Sequence, residues 1–110
     1  MKAVAYSVRA FEKEHFATAN EKKHDITLIA NPLGMDTVHY AGGKEAIIIP
    51  DSAVISKELQ NKLCGMGIKY IITRRTSENV ADLKEIAEQA IQDLDQAKMT
   101  TSFGKRHDLL

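Results

Sequence analysis

The run EAIIIP at residues 45–50 sets three consecutive isoleucines in a row without polar alternation. A strand covered on only one face alternates apolar with polar residues, so this run predicts a strand buried on both faces of a parallel sheet. Just downstream, Ser56 is placed to cap a helix over KELQNKLCGMG, where Leu59, Leu63 and Met66 fall at helical spacing and Gly65 and Gly67 can end it. IKYIIT, residues 68–73, then reads as a second β-branched strand. From Ser77, SENVADLKEIAEQAIQDLDQAK puts Val80, Leu83, Ile86, Ala87, Ala90, Ile91 and Leu94 on one stripe of a long amphipathic helix. Upstream, KAVAYSV predicts a strand, VRAFEKEHFATANEKK a helix with a weak apolar face, and DITLIANP a strand that stops near Ala30 because Pro32 lacks a donor. Between them, NPLGMDTVHYAGGK has turn residues at both ends and predicts a loop with one short turn of helix.

Strand, helix, strand, loop, strand, helix, strand, helix is the alternation of an α/β fold, in which right-handed crossovers carry helices to both faces of a parallel sheet. The expected architecture is a three-layer, flavodoxin-like open sheet of order 2-1-3-4 occupying residues 1–98 as one domain. Residues 99–110, MTTSFGKRHDLL, form a polar C-terminal tail with the alternatives of a fifth edge strand or an arm reaching a neighbouring subunit.

Composition narrows the partners. The 110 residues are 44% apolar and 27% charged, as in an ordinary globular domain. Fifteen basic and fifteen acidic residues cancel, leaving no electrostatic footprint for a phosphate backbone or an anionic membrane. Three Tyr, three Phe and no Trp supply few stacking platforms, so neither a nucleic-acid nor a membrane partner is expected. The single Cys64 cannot build a disulfide framework, and the start MKAVAYSVRAFEKEH lacks the apolar core of a signal peptide, so a cytoplasmic location is expected.

Three segments in order, MKAVAYSVRAFEKE, KKHDITLIANPLGMDTV and KLCGMGIKYIITR, resemble the first part of the D-2-hydroxyacid dehydrogenases, the D-lactate dehydrogenases especially, over positions 1 to 74. The resemblance implies the flavodoxin-like substrate domain of that family, into which a Rossmann nucleotide domain is inserted. No such insertion is seen here. DLKEIAEQAIQDLDQ resembles the helix with which the family's chain returns to the substrate domain. The family's catalytic arginine, glutamate and histidine belong to the nucleotide domain or the segment after it and have no matching position, and the glycine fingerprint of a dinucleotide loop is absent. The resemblance therefore implies no catalytic residue and no cofactor in this chain.

In the family, backbone amides after the fourth strand grip the substrate carboxylate. The matching positions follow Thr73-Arg74 and are Arg75, Thr76 and Ser77, without the glycine that permits close backbone approach. Arg74, Arg75, Thr76 and Ser77 are the candidate ligand-binding residues, a basic and hydroxyl-bearing stretch before a helix start that also favours negative charge. The alternative is a solvated loop in which Ser77 only caps the helix.

Other constellations read as structural. His15, His24, His39 and His107 have no metal-ligand spacing, Gly42-Gly43 and Gly65-Met66-Gly67 read as turns, and Cys64 reads as a small core filler. Glu85, Glu88, Asp93 and Asp95 mostly oppose the apolar stripe and read as solvated. Ser7-Val8-Arg9-Ala10-Phe11 offers one hydroxyl and no glycine, which does not suit a flavin phosphate loop. The expected function is a stand-alone substrate-domain homologue that binds a small carboxylate or other anion, or serves as an interaction module. The alternative is a subunit or regulator acting with a separate NAD-binding dehydrogenase partner. A homodimer, with segment exchange as one form of it, is expected, because the resemblance implies apolar surface bared where the family's nucleotide domain packs, with the helix from Val80 to Leu94 as the candidate interface.

Overall fold

In the computed structural model, which describes residues 1–77 and 79–99, the isoleucine run forms β3, Ala46–Pro50, near the middle of a four-stranded parallel sheet. Around it lie β1 (Lys2–Ala5), β2 (Asp25–Leu28) and β4 (Tyr70–Arg74), in the order β2-β1-β3-β4. The register pairs Val4 with Ile47 and Ile47 with Ile71. Helices α1 (Ala10–Asn20) and α2 (Lys57–Gly65) connect strands, α3 (Val80–Met99) follows β4 and completes the three layers, and Val38–Ala41 is a short 3-10 turn in the loop before β3. This is the α/β sheet order expected from the sequence.

Successive side chains of β3 point to opposite faces. Ala46 and Ile48 join Ala3, Ala5, Tyr70 and Ile72 under α1 and α3, whereas Ile47 and Ile49 join Val4 and Tyr6 under α2 and the 3-10 turn. The two cores explain why the strand carries no polar alternation. Burying each such aliphatic side chain stabilises the fold by roughly 1.5–3 kcal/mol.

Ser56 caps α2 as expected, its Oγ accepting from Leu59 N at 3.1 Å. At the other end Gly67, with φ +93°, takes the left-handed conformation that lets the chain turn into β4. Helix α1 is shorter than the sequence suggests. Val8 N still donates to Ile29 O at 2.9 Å, which holds it in the sheet ladder, and left-handed Glu21 and Lys22 end the helix after Asn20. Helix α3 starts later than expected. Asn79 supplies the cap, its Oδ1 accepting from Ala81 N at 2.9 Å, while Ser77 Oγ accepts from Asn79 N and donates to Asp82 Oδ2.

The α3 stripe is covered within its own chain, since Leu83, Ile86, Ala87, Ala90, Ile91 and Leu94 are all buried in the core it shares with α1 and the sheet. The acidic residues of this helix are not uniformly solvated either. Asp93 is buried and accepts from Gln89 Nε2 at 3.2 Å, and Asp95 meets the buried His24 Nε2 at 2.7 Å, tying α3 to the turn before β2. Among the described residues β4 is a sheet edge, and the tail residues 100–110 lie outside them. No helix of the described residues is long and apolar enough to cross a membrane.

Candidate functional site

Parallel strands bring their carboxyl ends to one rim, where ligands of open α/β sheets bind. Here the rim gathers Ser7 and Arg9 after β1, Asp51 after β3, and Arg74 to Ser77 after β4. Arg74 is the last residue of β4, and the alternation that turns Tyr70 and Ile72 toward α1 and α3 turns Arg74 the same way.

Its guanidinium ends beneath the rim. Nη1 donates to Glu12 Oε2 at 2.9 Å, and Nη2 donates to the carbonyls of Ser7 at 2.9 Å and Tyr6 at 3.3 Å. The Phe16 ring centroid lies 5.6 Å from its central carbon. The Arg74 and Glu12 side chains are 1% and 2% exposed. Burial pulls the Arg74 guanidinium below its ordinary value, and the Glu12 charge opposes that pull.

The second Glu12 oxygen holds the start of α1. Oε1 accepts from Arg9 N at 2.9 Å and Arg9 Nε at 3.0 Å, so one carboxylate closes the helix end and fixes both arginines. Arg9 then reaches across the rim, Nη2 donating to Ser77 O at 2.8 Å while its guanidinium lies over Phe11 at 4.5 Å. Ser7, whose carbonyl Arg74 holds, has φ 58°, a left-handed conformation rarely adopted by residues other than glycine. The network joins β1, α1, β4 and the loop that leads to α3.

The four candidate residues are thereby divided. Arg75 and Thr76 are exposed on the loop, Ser77 is half-buried and held through its carbonyl by Arg9, and Arg74 is buried underneath and engaged with Glu12. Glu12 and Arg9 are the members that sequence reasoning missed. The available signal was that Glu12 stands four residues before Phe16, so a charge sits on the inward face of α1. Of the remaining candidates, His39 is exposed beside Tyr40, with ring centroids 4.3 Å apart, and Cys64 is half-buried with a free thiol. Among the described residues no cluster of three or more His, Cys, Asp or Glu side chains is placed to hold a metal ion.

No family model matches the chain. The chain is 34% identical over 92 residues to an aromatic 2-oxoacid reductase of Clostridium sporogenes, known from two strains, a match that takes in 83% of this chain and 28% of the reductase. The solved D-lactate dehydrogenase of Escherichia coli superposes with a TM-score of 0.63 at 25% identity, over 80% of this chain and 29% of that one. D-lactate dehydrogenase of Salmonella gives 0.63 and 25%, over 79% of this chain and 28% of that one. A D-2-hydroxyisocaproate dehydrogenase shares the fold, with a TM-score of 0.61 at 21% identity over 80% of this chain and 28% of its own. The chain thus spans just over a quarter of the length of each of these proteins.

Proposed function

We propose, from the homology of this chain to the substrate domain of the D-2-hydroxyacid dehydrogenases, that it is a binding module for a small carboxylate and does not itself transfer hydride. The observation that carries this reading is the exposed Arg75-Thr76 pair on the loop after β4, at the carboxyl rim of a parallel sheet. A guanidinium can take a carboxylate through two parallel hydrogen bonds, and the neighbouring hydroxyl of Thr76 adds a donor. Arg9 and the Arg74–Glu12 pair hold the loop from below, so its geometry is set before a ligand arrives. Arg74 contributes as a buried charge rather than as a contact.

Hydride transfer also needs a positioned nicotinamide and an acid–base group. In the resembled family these belong to the nucleotide domain or the segment after it, and the residues of this sequence offer no matching catalytic position or dinucleotide loop. A second reading follows: the chain serves as a subunit or regulator beside a separate NAD-binding dehydrogenase partner, in the cytoplasm and as a homodimer. Phe11, a large apolar side chain left 47% exposed near the same rim, favours such a contact.

Calorimetry with pyruvate, lactate and phenylpyruvate, against sulfate and phosphate, tests the first reading. Binding of the carboxylates that Arg75→Ala weakens by about tenfold, with the fold unchanged by circular dichroism, supports it. Equal binding by wild type and variant removes the site. NADH oxidation by the repurified chain with any of these 2-oxoacids refutes the claim that it does not transfer hydride.

A further inference from the structure

Beside the rim, a cleft of about 360 Å³ runs between the open edge of β4 and α3. Its lining mixes charges of both signs: Arg74 and Arg75 from the strand end, Glu85, Gln89 and Asp93 from the helix, over an apolar floor that includes Ile86 and Ala90. Arg75 and Glu85 are both exposed, and neither makes an ion pair among the described residues. One further feature gives the cleft unused hydrogen-bonding capacity. In the edge strand, Tyr70 N donates to Glu45 O and Arg74 O accepts from Asp51 N, so the alternate residue Thr73 turns its backbone N–H and C=O to the open side.

We propose that this cleft binds a small zwitterion, an α-amino acid. A ligand with only an anionic group leaves Glu85 facing it unmatched, and a purely cationic ligand does the same to Arg75. An α-amino acid carries both charged groups on the same carbon, so its carboxylate can take Arg75 and the edge N–H of Thr73 while its ammonium takes Glu85. Ile86 and Ala90 then meet its side chain. A volume of about 360 Å³ lies at the small end of ligand sites, which suits a free amino acid rather than a dinucleotide.

The test uses the whole chain labelled with nitrogen-15 and titrated with alanine, glutamine and phenylalanine, with propionate and n-propylamine as half-ligands at the same concentrations. At least one amino acid is expected to shift the amides of Thr73, Arg75 and Gln89 together, with propionate shifting only the loop around Arg75 and n-propylamine shifting none of them. Glu85→Gln and Arg75→Gln, both surface changes that leave the core intact, are each expected to weaken that binding about tenfold. Absence of any amide shift with all three amino acids overturns the proposal, as does binding of propionate as tight as that of the amino acid. Because Glu85 lies outside the Arg75–Ser77 loop, Glu85→Gln should leave lactate binding unchanged. Loss of lactate binding in wild type would count against the carboxylate module and not against this cleft.

Discussion

Replacing Glu12 by alanine should be among the most damaging single changes in the domain. The variant leaves the Arg74 guanidinium, 1% exposed in the side chain, without the carboxylate that faces it, and strips two hydrogen bonds from Arg9. Removing one partner of a buried ion pair costs roughly 3–5 kcal/mol, because the remaining charge is left uncompensated. The Arg9 side chain is 38% exposed, so water takes over much of what its ion pair contributes. Losing the carboxylate that accepts from the Arg9 backbone N–H at the start of α1 adds about 1 kcal/mol. The sum, about 4–6 kcal/mol, compares with a total of about 5–15 kcal/mol for a typical domain. Urea denaturation followed by far-ultraviolet circular dichroism should show the midpoint falling by about 2 M or more, or no folded baseline at all. The double variant Glu12→Leu/Arg74→Met removes both charges and should recover most of the loss. A cost below about 1 kcal/mol for Glu12→Ala would refute the claim that this pair holds the rim together.

Tyr6 is fully buried, its hydroxyl donating to Thr37 O at 2.9 Å, and burial with the nearby Tyr40 pushes its phenol up to about 12. The folded value lies above the ordinary 10, so the stability it confers is complete below pH 10 and is lost as pH rises toward 12, by about 2–3 kcal/mol in all; Tyr6→Phe should flatten that stretch of the stability–pH curve, and an unchanged slope would contradict it. Gly67→Ala forces a side chain into φ +93° and should cost about 1 kcal/mol or more by thermal denaturation, whereas the same change at Gly65, a helical position with open space around it, should be neutral or stabilising. Leu83→Glu with Ile91→Glu puts two carboxylates into the chain's own core, so cooperative unfolding should disappear at every protein concentration; a folded monomer recovered from this variant would show that the stripe serves an interface between subunits instead.

The sheet was legible because its information is local. Three isoleucines before Pro50, a serine three residues ahead of Leu59 and a stripe from Leu83 to Leu94 each state a period or a cap that a neighbouring segment does not alter. Alternation of such segments restricts the topology to very few arrangements, and the observed order is among them. The candidate loop was legible in the same way, as a basic and hydroxyl-bearing stretch at the end of a strand.

What the residues of that loop do was decided only in three dimensions. Arg74 and Arg75 are adjacent and chemically identical, yet strand alternation sends one into the core and leaves the other in solvent. The partner that makes burial tolerable, Glu12, stands 62 residues earlier, and only the packing of α1 beside the end of β4 brings it within 2.9 Å. The same holds for His24 and Asp95, 71 residues apart and joined at 2.7 Å; Asp93, read as solvated for its charge, falls seven residues after Ile86 at the edge of the apolar stripe and is buried. Hydrophobic period records which face of an element is covered. It does not record which polar group lies across the contact, and that pairing determines whether a charge can be buried at all.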